Sequence, residues 1–277
     1  MRSLRDGIYG LVVGDSLGVP FEFLQRGTFK ATDMIKREEY DFDIGMWSDD
    51  SSMTLCTCDS IRENKNIDLD DMMKKFLKWY RCNEYTPSGF AFGIGKTTKE
   101  ALINYEISKS LKGLKDEYNN GNGSLMRILP LIFTNCSDKD IEDVSSLTHG
   151  HKISIDACKI YIHIGRELLM GKDLRTTLRK IKLPEFYKFL KNLESYKEED
   201  IKSSGYVVHT LSASLWCILN STSYKEAVLK AVNLGDDTDT TAAVTGGLCG
   251  IIYGVEDIPK NWIQKIKNKN LIEKVLF

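Results

Sequence analysis

The chain has 277 residues, 42% of them hydrophobic, and a formal net charge of −1. That length suits one large domain or two small ones, and the apolar content a sizeable core. The near-neutral balance offers no electrostatic footprint for nucleic acid or an acidic membrane surface, and no stretch approaches 18 continuous apolar residues, so no membrane span is expected.

The opening Met1-Arg2-Ser3-Leu4-Arg5-Asp6-Gly7 leads into an apolar run broken by Asp15, which does not read as a signal peptide. Within that run Gly7, Gly10, Gly14 and Gly18 recur at spacings of three and four, a bare stripe on a helix. Glycine costs roughly 1 kcal/mol per helix position, so close packing against a neighbour is expected there. A first acidic cluster, Trp47-Ser48-Asp49-Asp50-Ser51, then runs straight into a helix-like segment. Asp68 is a candidate N-cap for an amphipathic helix through Leu69, Met72, Met73, Phe76, Leu77 and Tyr80, ending before Thr86-Pro87. Residues 112–122 are charged and rich in Asn and Gly, and read as a loop.

Further along, residues 138–147 carry a stripe of Ile141, Val144 and Leu147. Ile153, Ala157, Ile160, Ile164 and Leu168 form another, stopped by Gly171, and Phe186, Phe189, Leu190 and Leu193 a short one. Residues 194–205 read as a second polar loop. Ser223 with Glu226 spells a capping box before Val228, Ala231 and Val232. A second acidic cluster, Gly235-Asp236-Asp237-Thr238-Asp239-Thr240-Thr241, precedes a stripe of Val244, Leu248, Ile251 and Ile252. Period-two alternation is rare, and there is no repeat or linker. The expectation is an all-α fold of ten or more helices in one compact domain, residues 1–277. The seven cysteines, at 56, 58, 82, 136, 158, 217 and 249, are scattered and odd in number. Cys56 and Cys58 lack a matching pair for zinc, so reduced, mostly buried thiols in a cytoplasmic protein are expected.

Either acidic cluster alone has a plain reading, because Ser and Asp are good N-caps and first-turn residues. Taken as two halves of one site, they supply the hard oxygen ligands that suit Mg²⁺ or Mn²⁺. Facing each other they would hold a pair of ions about 3.5–4 Å apart.

The motifs together resemble one family, the ADP-ribosylglycohydrolases, which include the hydrolase that reactivates dinitrogen reductase. Gly14-Asp15-Ser16-Leu17-Gly18-Val19-Pro20-Phe21-Glu22 is similar to its opening helix and acidic gate residue, and Trp47 to Ser51 to its first metal motif. Tyr85-Thr86-Pro87-Ser88-Gly89 through Gly93-Ile94-Gly95-Lys96-Thr97-Thr98 resembles a central substrate loop. Asn120-Gly121-Asn122-Gly123-Ser124-Leu125-Met126-Arg127 with Pro130-Leu131 resembles the ADP-ribose loop. Thr148-His149, Ser204-Gly205-Tyr206-Val207-Val208 and Asp237-Thr238-Asp239-Thr240 complete an ordered set covering most of the chain.

The resemblance implies an all-α domain with a central dinuclear metal cleft holding two Mg²⁺ or Mn²⁺. It implies cleavage of the glycosidic bond between ADP-ribose and a modified side chain, arginine by default. Carried over, the metal ligands are Ser48, Asp49, Asp50, Asp237, Asp239 and Thr240. Asp49, Asp50 and Glu22 are the candidate proton acceptors, in no order that the sequence ranks. Asn122, Gly123, Ser124, Met126, Arg127, His149 and Tyr206 are the candidate substrate contacts. Bare glycine N–H groups suit a pyrophosphate or ribose cradle, or a plain helix-start turn. Arg127 is expected to pair with a phosphate or a carboxylate, His149 to hydrogen-bond the ligand, and Tyr206 to stack on adenine or pack in the core. His151 and His163 are read as structural.

Several positions depart from the family pattern. Ser48 stands for a usual Thr. Asp236 stands for a usual Gly and is expected to add charge beside the metals. His209 and Ser212 replace acidic residues, and Gly93 replaces an Asp, removing a carboxylate near the leaving group. The expected partner is an ADP-ribosylated protein or small conjugate, and the expected state a monomer. The alternatives are an ADP-ribose-binding relative with little catalysis and a different two-metal nucleotide hydrolase.

Overall fold

A computed structural model describes residues 2–36 and 42–277. Among the described residues there are twelve α-helices, several short 3₁₀ turns and no strand; only two isolated β-bridges occur, Leu114 with His149 and Gly121 with Tyr206.

The centre of the molecule is the pair α1 (Leu4–Gly18) and α10 (Thr238–Tyr253), buried along almost their whole lengths. Helices apolar on all sides need protein on all sides, and glycine sets how closely these two approach. A methyl on Gly10 would overlap the Gly246 carbonyl, one on Gly14 the Ala242 carbonyl, and one on Gly18 the backbone of Asp239. Gly246 and Gly250 return the contact against Gly10 and Asp6. The predicted glycine stripe is therefore a backbone-to-backbone seam, and it brings the second acidic cluster against the end of α1. Gly7 instead faces the side chains of Leu129 and Phe133.

The start of α1 is tied to the end of α10 through Asp6. Its carboxylate accepts from Ser3 N (2.7 Å) and Ser3 Oγ (2.9 Å), and from Val255 N (2.9 Å) just past α10.

Helix α2 (Asp49–Asn64) packs beside α1, with α3 (Leu69–Cys82) against it. Asp68 caps α3, accepting from Asp71 N at 2.9 Å. The inward face is Met72, Met73, Phe76 and Trp79, with Leu69, Leu77 and Tyr80 half-buried on its flanks. Helices α4 (Lys96–Ser108), α5 (Asp138–Ser146), α6 (Lys152–Leu169) and α7 (Leu174–Lys180) follow, and Gly171 turns the chain after α6 at φ +82°. The predicted short helix near 186–193 is a 3₁₀ helix, Glu185–Ser195. At three residues per turn, side chains three apart line up, so Tyr187, Leu190 and Leu193 point inward and Phe186 is exposed.

Helices α8 (Val207–Leu219) and α9 (Tyr224–Asn233) cover α10. The expected capping box at α9 is half present. Ser223 Oγ accepts from Glu226 N, but the Glu226 carboxylate takes Thr222 N (2.8 Å) and Thr222 Oγ1 (3.0 Å) instead of Ser223. Two short helices, α11 (Lys260–Lys265) and α12 (Lys269–Val275), complete the fold. All seven cysteines are free and five are buried, while Cys82 is exposed. Among the described residues no helix is long and apolar enough to cross a membrane.

Candidate active site

The site is built where the end of α1 meets the N-termini of α2 and α10. Asp15, near the end of α1, is fully buried. Its carboxylate accepts from Ser48 N (3.0 Å), Ser51 N (3.0 Å) and Ser51 Oγ (2.5 Å). It thereby satisfies donors that the start of α2 would otherwise leave unpaired. Burial pushes the Asp15 carboxyl up to about 6 despite these hydrogen bonds. Sequence reading left Asp15 out of the site, although a lone acid in an apolar helix was the available signal.

Ser48 is the N-cap of α2; its hydroxyl accepts from Asp50 N and donates to Asp50 Oδ2 at 3.1 Å. Thr240, in the first turn of α10, also donates to Asp50 Oδ2, at 3.3 Å. This hydrogen bond joins the two clusters across a separation of 190 residues. The Asp239 carboxylate accepts from Thr240 N at 2.9 Å, and Thr238 Oγ1 ties the start of α10 to the Gly18 carbonyl at 2.8 Å. Asp237 is half-buried and its carboxylate accepts from Asn122 Nδ2 at 2.8 Å. Glu22, half-buried, follows the 3₁₀ turn after α1.

Six carboxylates thus share one region. Burial holds the Asp49, Asp50 and Asp239 carboxyls well above the usual range, and neighbouring carboxylates push them further. For Asp49 those neighbours are Asp15, Glu22 and Asp237; for Asp50 they are Asp15, Asp49 and Asp237; for Asp239 they are Glu22, Asp237, Asp50 and Asp15. Among the described residues no cation stands among the groups that act most strongly on these three. Asp50 Oδ1 is buried with no hydrogen-bond partner among the described residues. Among the described residues, no three His, Cys, Asp or Glu side chains converge closely enough to grip an ion as they now stand. The donors are all oxygen, and other carboxylates are among the strongest influences on Asp49, Asp50 and Asp239, which is the chemistry that hard divalent ions take.

The segment 120–124 lies beside Asp237. Asn122 N donates to Gly205 O and Val207 N to Asn120 O, both at 3.0 Å, forming the Gly121–Tyr206 bridge. Asn122 Nδ2 also reaches Thr210 Oγ1 at 2.9 Å. The glycine at 123 is required by close approach, since a Cβ there would lie 2.7 Å from His149 Cε1 and 2.9 Å from Thr98 Oγ1. Tyr206 is half-buried and meets the His209 ring edge-on, with centroids 5.0 Å apart.

The family model described as ADP-ribosylglycohydrolase matches residues 2–276. The chain belongs to the ADP-ribosylglycohydrolase family. It is 33% identical over 287 residues to the ADP-ribosylarginine hydrolase Tri1 of Serratia proteamaculans (strain 568), covering 99% of this chain and 78% of that one. It is 27% identical over 270 residues to the ADP-ribosyl-[dinitrogen reductase] glycohydrolase of Rhodospirillum rubrum, covering 94% and 88%. A solved structure described as an ADP-ribosylglycohydrolase-related protein complex superposes with a TM-score of 0.83 at 30% identity, covering 98% and 94%.

Within this family member the remaining predicted contacts divide. Ser124 is wholly buried, accepting from Ser145 Oγ at 3.0 Å, and the Met126 carbonyl accepts from Thr54 Oγ1 of α2 at 3.2 Å. Among the described residues Arg127 pairs with no carboxylate. It is wholly buried, donates to Val144 O (3.0 Å) and Thr148 Oγ1 (2.9 Å), and lies 4.8 Å over the Phe76 ring. His149 is buried beside it, and burial and the Arg127 charge hold its imidazole down to about 3, hence neutral.

Two departures from the family pattern acquire a physical setting. Gly93 has φ +87°, and a Cβ there would overlap the Asp49 carboxylate. Glycine therefore leaves the space to Asp49. Asp236 also adopts a left-handed conformation, φ 57°, which explains a glycine preference at that position. Its charge acts on His209.

Proposed function

We propose that this chain is a metal-dependent ADP-ribosyl hydrolase that reverses mono-ADP-ribosylation, with an arginine linkage favoured. The observation that carries the reading is the Asp50 carboxylate, joined to both acidic clusters and left with one buried, unpartnered oxygen. The arginine linkage is supported by two relatives at 33% identity named ADP-ribosylarginine hydrolase.

Ser48, Asp49, Asp50, Asp237, Asp239 and Thr240 would hold two Mg²⁺ or Mn²⁺ ions. When bound, such ions supply Lewis-acid chemistry that polarises ribose oxygens and acidifies a water. The protein's own part is orientation and proton handling. Asp15 pins the start of α2, and Ser48 and Thr240 direct Asp50 by hydrogen bonds to Oδ2. Asn122 fixes Asp237 and couples it to the 120–124 segment. Loss of the leaving group from C1″ develops oxocarbenium character, and a carboxylate beside the attacking water accepts its proton. Asp49, Asp50 and Glu22 are the candidate groups for that step. The substrate is an ADP-ribosylated protein or small conjugate, and the protein acts as a cytoplasmic monomer.

The test is release of free ADP-ribose from arginine- and serine-modified peptides, with Mg²⁺ or Mn²⁺ and with chelator. Metal-dependent release from the arginine peptide is the expected result. Gly93 favours one second reading, an ADP-ribose-binding relative without turnover. ADP-ribose binding by calorimetry with no release from either peptide would establish that reading instead.

A further inference from the structure

Thr148 is wholly buried, and its hydroxyl has two polar neighbours: Arg127 Nη2 at 2.9 Å and His149 Nδ1 at 2.9 Å. The guanidinium can only donate. Its bond occupies a lone pair on Thr148 Oγ1 and leaves the hydroxyl proton to find an acceptor. Among the described residues the acceptor within reach is His149 Nδ1. The reverse arrangement, with Nδ1–H donating to Oγ1, would leave the buried hydroxyl proton unpaired, an arrangement that proteins avoid.

With Nδ1 as acceptor, the neutral ring carries its proton on Nε2. That edge of the ring faces the glycine turn of residues 121–123: Nε2 lies 3.3 Å from the position a Cβ would take on Gly121 or on Gly123. Among the described residues Nε2 makes no hydrogen bond of its own. The direction of donation therefore runs one way, from the buried guanidinium through a hydroxyl to an imidazole N–H aimed at the turn.

We propose that Arg127 is a positioning residue that acts through Thr148 to fix His149 as the Nε2–H tautomer, presenting a neutral donor to an acceptor oxygen of ADP-ribose at the 121–123 turn. The ligand half of this statement rests on the function proposed above; the tautomer half does not. The lock gives this buried arginine a role through Nη2; among the described residues it has no carboxylate partner, and its Nε and Nη1 are unpaired.

The test is ¹⁵N NMR of the His149 side chain in the free protein, together with ADP-ribose titration of the same samples. Wild type is expected to show the Nε2–H tautomer. Thr148→Val, which keeps the shape and removes the hydroxyl, is expected to release the lock to a mixture of tautomers and weaken ADP-ribose binding about tenfold, a fold-change typical of a lost supporting hydrogen bond. Thr148→Ser is expected to restore both, and Arg127→Met to release the lock as Thr148→Val does. An Nδ1–H tautomer in wild type overturns the proposal. So does a Thr148→Val protein whose tautomer shifts while its affinity for ADP-ribose is unchanged. If wild type shows the Nε2–H tautomer yet binds no ADP-ribose, the ligand half is overturned along with the functional reading, and the Arg127–Thr148–His149 device stands.

Discussion

At the scale of single residues, the site is governed by clustered negative charge. Asp49, Asp50 and Asp239 are buried, and neighbouring carboxylates, Asp15 and Asp237 in all three cases, raise the cost of ionising them further. Such a cluster lowers stability unless cations join it, so function and stability oppose each other here. Asp50→Asn keeps the side-chain size and removes one charge. We expect it to lower ADP-ribose release at least roughly a hundredfold. The metal-free variant should be about 1 kcal/mol more stable than metal-free wild type, since one like-charge neighbour is gone. Urea denaturation in chelator reads the second effect. A variant less stable than wild type under those conditions would show that Asp50 is held by favourable contacts instead. Gly93 belongs to this scale too. Its left-handed backbone and its closeness to Asp49 leave no room for a side chain while that carboxylate stays where it is.

At the scale of helices, the seam between α1 and α10 sets where the carboxylates lie. A methyl on Gly14 meets the Ala242 carbonyl, which belongs to a helix backbone and cannot rotate away. Gly14→Ala is expected to force the helices apart and cost about 3 kcal/mol, read as a lowered denaturation midpoint. Because Asp15 and Asp239 ride on these two helices, activity should fall with it. Retention of full stability would mean the seam tolerates separation, contrary to its close packing. The start of α1 gives a pH prediction. Burial pushes the Asp6 carboxyl up, but hydrogen bonds from Val255 and Ser3 outweigh it and hold the group below its ordinary range. A depressed carboxyl stabilises the fold above its unfolded pKa and loses that contribution as pH falls through the folded value. Asp6→Asn should therefore cost about 1 kcal/mol near pH 7, and the gap from wild type should close below about pH 4. Melting curves of the pair at both pH values decide it; a gap that widened in acid would reverse the sign.

At the scale of the whole molecule, the two acidic clusters stand at the N-termini of helices almost two hundred residues apart in sequence, joined by the Thr240–Asp50 hydrogen bond. Cations that bind only the folded arrangement stabilise the entire fold, by about 2.7 kcal/mol at a hundredfold excess over Kd. Thermal melts of wild type with Mn²⁺ or Mg²⁺ against chelator should show that rise, and Asp50→Asn should show much less of it. An equal rise in both would place the cations elsewhere.

Much of this organisation was legible in the chain alone, because it follows from local rules. Helical periodicity, the Asp68 cap, the glycine stripe and both acidic clusters depend on spacing, and spacing is what a sequence displays. The ordered motifs likewise carried the family. What the sequence did not contain was direction. It could not show that Asp15, a break in an apolar helix, pins the start of α2. It could not show that Arg127 turns inward over Phe76, or that Asp236 acts on His209. It also missed that a 3₁₀ turn would select Tyr187 over Phe186 for the core. Each of these depends on which distant element lies alongside. Only packing decides that, because a side chain's partner is set by the three-dimensional neighbour and not by the residue next to it in the chain.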